Sequence, residues 1–191
     1  MTSPRANRSA RHARIRSASQ RWPRTSATDE YAPFYAGYVS SVPDGDVLEI
    51  LSRQTADLVA LLRPLPAATW RHRYAPGKWS VAEVLGHVCD TERILSYRAL
   101  RFARGDQTPV PGFEENDYVP PARFDERAPD GLLAEFEAIR AATLALFRNL
   151  PADAAERSGT ANANRVSVRG LLYIITGHQR HHMQVLRDRY L

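Results

Sequence analysis

The chain has 191 residues, 43% hydrophobic and 25% charged, enough for one domain with a buried core and a tail, and typical of a soluble globular protein rather than a fibrous or disordered one. No stretch approaches the ~18–20 uninterrupted apolar residues of a membrane span, which excludes an integral membrane protein. The net charge of +5 is uneven: residues 1–28 hold seven of the 26 basic residues and no acid, leaving 19 basic against 21 acidic residues beyond Thr28. The domain is therefore slightly acidic, and a nucleic-acid partner is not expected.

Residues 1–28 are rich in Arg, Ser and Ala and are predicted to form a disordered basic arm ahead of a single domain over 29–191. They lack the apolar h-region of a secretory signal. Cys89 is the one cysteine, so neither an intramolecular disulfide nor a cysteine metal cluster can form, and a reducing cytoplasmic setting is expected. At two residues from His87 it reads as a small buried hydrophobe.

After the arm, the aromatic run Tyr31 to Val42 is predicted to pack as an irregular apron. Four helical patterns follow. The first starts at Asp46, with Glu49 three residues on, and places Val47, Leu51, Leu58, Leu61 and Leu62 largely on one side before Pro64. The second opens on a full capping box, Ser80-Val81-Ala82-Glu83, and runs to about Arg104, where Gly105 stops it. The stretch Gly105 to Pro129 holds five prolines and is read as non-helical, with Phe113, Tyr118 and Phe124 anchoring it as an ordered cover. The third pattern begins near Pro129-Asp130 and ends before Pro151. The fourth begins at Ser167 and carries Val168, Leu171, Leu172, Ile175, His178, His182 and Leu186 on one face. No segment shows strand alternation, so the predicted fold class is all-α, a four-helix bundle.

Successive helical residues turn by about 100°, which sets His178 and His182 only about 40° apart, one turn from each other and inside the apolar stripe. Two imidazoles aimed at a core need partners, since an unsatisfied buried polar group costs ~1–3 kcal/mol. His87 lies at the margin of the second helix's stripe, with Thr91, Ile94 and Arg98. One histidine from the second helix and a pair from the fourth would give one metal ion three nitrogen ligands and leave positions open for water or substrate. The bland alternative is a set of hydrogen-bonded structural histidines. His181 diverges from the shared strip and is read as solvent-facing or as a substitute ligand.

Gln179 stands where an H-E-x-x-H protease has its glutamate, and the paired Glu-x-x-His signature of di-iron bundles is absent, as are glycine-rich nucleotide loops. Glu114, Glu115 and Asp117 are acids that could approach a metal as general base, although such a run is usually solvated.

The run PGKWSVAEVLGHVCDTER, followed some ninety residues later by YIITGHQRHHMQVL, resembles the DinB/YfiT-like superfamily over about Pro43 to Leu191. The resemblance implies an up-down-down-up bundle, a metal site of His87, His178 and His182, and homodimerisation. It also implies a functional range: metal-dependent transferases of low-molecular-weight thiols such as bacillithiol or mycothiol, isomerases and hydrolases. The leading expectation is a thiol S-transferase using one divalent ion, with zinc, nickel or iron as candidates, a thiol cosubstrate and a small-molecule substrate. The rivals are a metal-dependent hydrolase and a non-catalytic metal- or ligand-binding bundle of the stress response. Sequence assigns no catalytic residue.

Overall fold

The computed structural model describes Trp22, Pro23 and residues 29–191. Four long helices make the bundle: α2 (Val47–Leu62), α4 (Val81–Ala103), α6 (Pro129–Asn149) and α7 (Val168–Arg189). Their starts follow from local chemistry. The Asp46 carboxylate accepts from the Leu48 N–H at 2.9 Å, Ser80 and Glu83 close the expected capping box, α6 begins on Pro129, and the Ser167 hydroxyl accepts from the Gly170 N–H at 2.8 Å. Each cap satisfies backbone donors that have no partner within the helix.

Two apolar clusters fix the helix directions. At one end Leu48 and Leu51 of α2 meet Phe102 of α4, Phe147 of α6 and Val168 and Leu171 of α7. At the other, Leu58 and Leu62 meet Val81, Leu85, Leu132, Leu133, Met183 and Leu186. The starts of α2 and α7 thus share an end with the finishes of α4 and α6, which gives up, down, down, up in chain order. α4 packs on α6 and α7, and α2 packs on the same two.

Between the clusters lies a buried polar layer that draws on all four helices. The Arg140 guanidinium of α6, only 1% exposed, donates to both carboxylate oxygens of Glu92 on α4 at 2.8 and 2.7 Å. It also donates to the Leu51 carbonyl of α2 at 2.9 Å and to the side-chain oxygen of Gln179 on α7. Gln179 in turn donates to the Gln54 carbonyl at 2.8 Å, and Gln54 donates to the Thr176 carbonyl at 3.2 Å.

Several connecting segments differ from expectation. The apron contains a 3₁₀ turn at Pro33–Tyr35 and a short helix, α1 (Ala36–Ser41), which packs along α7. A further short helix, α3 (Ala67–Trp70), follows α2. The proline-rich stretch, expected to be non-helical, forms α5 (Glu115–Ala122) and a 3₁₀ turn at Phe124–Glu126. Pro120 and Pro121 fall in its second half, just before Arg123 turns left-handed at φ 51°, so the donors they remove are lost where the helix ends. The chain also contains strands that the sequence reading missed: β1 (Ser158–Ala161) pairs antiparallel with β2 (Asn164–Ser167). Asn162 and Ala163 both have positive φ, 49° and 59°, the mirror-image turn that suits a two-residue hairpin. Trp22, within the segment read as a disordered arm, is 1% exposed and meets the Phe147 ring edge-on at 5.5 Å. Apart from Trp22 and Pro23, residues 1–28 lie outside the described residues.

Removing Glu92 would leave the Arg140 charge buried without its counter-ion. Glu92→Ala should therefore lower unfolding free energy by about 3–5 kcal/mol, whereas the double change Glu92→Leu with Arg140→Met should recover much of that loss. Denaturant melts of the three proteins check this.

Candidate metal centre

His87 stands in the second turn of α4, His178 and His182 one turn apart in the middle of α7, and the antiparallel packing of these helices brings the three together. The Nε2 of His178 lies 2.9 Å from that of His87 and 3.1 Å from that of His182. All three offer a ring nitrogen within 4.8 Å of one another. His87 and His178 are buried and His182 is half-buried. His181 is exposed, with its ring 5.0 Å from that of His182, and stays outside the convergence.

Two glycines bring covering segments down onto the trio. Gly86, immediately before His87, receives the Phe124 ring, and Gly177, immediately before His178, receives the Tyr38 backbone; a Cβ at either would collide with its neighbour. Phe124 is held from the other side as well, because the next residue, Asp125, accepts from the Ser80 hydroxyl and from Arg73. The cover is thereby fastened to the start of α4, seven residues before His87. The Trp79 ring stands 4.7 Å from that of His87, and the Tyr38 ring 5.4 Å from that of His178.

The trio faces two cavities. One, about 190 Å³, is lined by His87 and His178 together with Tyr38, Arg98, Phe113 and Glu115. The other, about 300 Å³, is lined by His182 and His181 with Lys78, Trp79, Asn116 and Tyr190. Glu115 and Asn116 are consecutive at the start of α5, so the cover straddles both. Of the three aromatics expected to anchor it, Phe124 is buried beside α4 and Phe113 lines the first cavity, whereas Tyr118, although its ring lies 5.3 Å from that of Phe113, is exposed and does not act as an anchor.

A family model described as the DinB superfamily matches residues 50–186. The chain belongs to the DinB superfamily. None of the curated proteins matches it. Among solved structures, this DinB-superfamily chain is similar to YfiT from Bacillus subtilis, described as "a probable metal-dependent hydrolase with an unusual four-helix bundle topology", at 18% identity and a TM-score of 0.67, over 77% of this chain and 89% of that one. It is also similar to a mycothiol-dependent maleylpyruvate isomerase at 19% identity and a TM-score of 0.62, over 76% of this chain and 61% of that one. At these identities the likeness carries the bundle fold.

Burial, with His181 adding to it, lowers the His87 pKa to about 4. Burial also holds His178 and His182 well below the usual histidine range, and the neighbouring imidazoles push the same way. The trio is therefore neutral, the form in which imidazole ligates metals. The His182 Nδ1 is buried without a hydrogen-bond partner. Cys89 is buried as expected, and that burial pushes its thiol far above the range in which a thiolate forms. Of the three acids singled out from sequence, Glu115 alone lines a cavity with the trio; Glu114 caps α5 through the Asn116 N–H at 3.2 Å, and Asp117 is exposed. No helix among the described residues is long and apolar enough to cross a membrane.

The depressed histidines set a pH dependence. In the unfolded chain His87 takes up a proton near pH 6.5, whereas in the folded protein it does so only near pH 4. Between these values the unfolded state binds more protons, so the thermal midpoint of metal-free protein should fall as pH drops from about 6.5 towards 4. A midpoint that stays flat across this window would contradict the neutral trio.

Proposed function

We propose that His87, His178 and His182 hold one divalent ion, zinc, nickel or iron, and that the protein is a metal-dependent enzyme transferring a low-molecular-weight thiol to an electrophilic small molecule. The observation that carries this reading is the trio's position between two cavities. Water needs no cavity of its own, whereas a thiol and an electrophile need one each. Three neutral imidazole nitrogens, 2.9 and 3.1 Å apart along the chain of contacts, suit these metals. The ion would keep a coordination position open and make a thiol or water acidic enough to react near neutral pH.

The remaining work falls to the chain's own residues. Cys89 cannot be the nucleophile, so the sulfur comes from a cosubstrate. Trp79 and Tyr38 wall the imidazoles. The Glu115 carboxylate is half-buried in the cavity that His87 and His178 line, which puts one acid on that side of the trio. On the opposite side Lys78 and Asn116 offer donors to a polar cosubstrate.

If the reading is right, His87→Ala, His178→Ala and His182→Ala should each weaken metal binding more than about 100-fold, the upper cost of removing a mere supporting partner. Helix content should hold, because the apolar clusters carry the bundle, and His181→Ala should keep one equivalent. Elemental analysis after gel filtration, with circular dichroism alongside, checks both statements.

Loaded protein should also conjugate mycothiol or bacillithiol to monochlorobimane, forming the carbon–sulfur bond and releasing chloride, at a rate that chelation abolishes. Metal-dependent cleavage of p-nitrophenyl acetate without thiol conjugation would replace transfer by hydrolysis. Inactivity in both assays at full metal loading would favour a binding protein.

A further inference from the structure

Two buried arginines lie in the bundle, and they are neutralised differently. Arg140 is matched by Glu92 at 2.7 Å. Arg98, on α4 and only 2% exposed, has no carboxylate partner among the described residues: its Nη2 donates to the Pro111 carbonyl at 2.8 Å, and its guanidinium lies 5.9 Å from the Phe113 ring centroid. It also interacts with the Tyr35 hydroxyl. Its Nε–H is buried with no acceptor. A buried cation lacking a counter-ion is costly, and an unpaired buried donor adds about 1–3 kcal/mol.

Arg98 lines the same cavity as His87 and His178. On α4 the series His87, Thr91, Leu95 and Arg98 steps by four, four and three residues, which puts all four side chains on one face. The cavity floor thus runs from the imidazoles to the guanidinium over at most about 16 Å of helix. Aromatic rings flank it, Phe34 and Tyr38 from the segment around α1 and Phe113 from the cover. Glu115 also lines the cavity, and its charge acts on the Tyr35 and Tyr38 hydroxyls, but it forms no ion pair with Arg98.

We propose that Arg98 is the anion-recognition residue of this cavity, and that the molecule entering on the His87 and His178 side is a small carboxylate with a flat, apolar body. The guanidinium supplies the positive charge that pairs with the carboxylate, and the rings clasp the body. This deepens the functional reading by naming the class of one reactant, and it rests on that reading for the chemistry at the cavity's other end.

The probe is 4-fluorobenzoate against its neutral counterpart 4-fluorobenzamide, followed by fluorine NMR on the full chain. The protein is metal-free, so that the carboxylate cannot simply ligate an ion. Wild type should bind the benzoate at least ten times more tightly than the amide. Arg98→Met should erase that preference while retaining one equivalent of zinc, and His178→Ala should lose zinc while retaining the preference. Equal binding of the two probes by wild type, or an unchanged preference in folded Arg98→Met, would overturn the proposal. If Arg98→Met does not fold, the Arg98 Nε–H resonance of ¹⁵N-arginine-labelled wild type decides: it should shift with the benzoate and not with the amide, and an unmoved resonance overturns the assignment. One equivalent of zinc without carboxylate preference would sink this inference alone. Carboxylate preference without stoichiometric zinc would sustain it and remove the metal reading.

Discussion

The Arg140 guanidinium is where all four long helices meet. Its five N–H groups are directed in a rigid fork, and Glu92, Leu51 and Gln179 receive them from three different helices. A buried ion pair of this kind adds little net stability compared with well-packed apolar side chains. Its consequence is geometric, because each partner must stand at one height along its helix for the fork to be satisfied. Gln179 directly follows His178, and Glu92 comes five residues after His87, so the layer that fixes the register of α4 against α7 also fixes where the three imidazoles converge. The bundle's apolar clusters lie on either side of it.

Above that layer the site is assembled by close approach. A glycine precedes each of the two most buried histidines, and each glycine lets a covering segment come down onto its helix: Phe124 at Gly86 and Tyr38 at Gly177. The covers wall the rings while leaving a cavity on either side. Burial then keeps the imidazoles neutral and ready to ligate. The same desolvation acts on Cys89 in the opposite functional sense, raising its pKa and making it inert, so the thiol transfer proposed above would require sulfur from outside.

How much of this was legible in the sequence depends on whether the signal was local. The capping box at Ser80 and Glu83, the Asp46 and Ser167 caps and the i, i+4 pair His178 and His182 are properties of short runs, and the four long helices and the trio emerged from them. The hairpin escaped because its turn is Asn162-Ala163 rather than the Asn-Gly that advertises such a turn, and its strands span only four residues each. α5 escaped because Pro120 and Pro121 read as helix breakers, although they fall where that short helix ends. Trp22 sits among arginines and has no periodic apolar neighbours; its partner, Phe147, is remote in sequence. The pairing of Arg140 with Glu92 and the contrast between Arg140 and Arg98 are tertiary facts that no window of sequence contains. One local signal was available and unused: the doublet Gly-His occurs at both 86–87 and 177–178, and marks the places where a segment presses on a histidine-bearing helix.

The central claim is that three imidazoles, and no other side chains, hold a single ion in an open site. X-ray absorption at the zinc edge of the full chain loaded with one equivalent tests it most directly. The account predicts scattering from three imidazole rings with nitrogen at about 2.0–2.1 Å and at least one further light atom. A sulfur shell near 2.3 Å, or a fit requiring only one or two imidazoles, would contradict it.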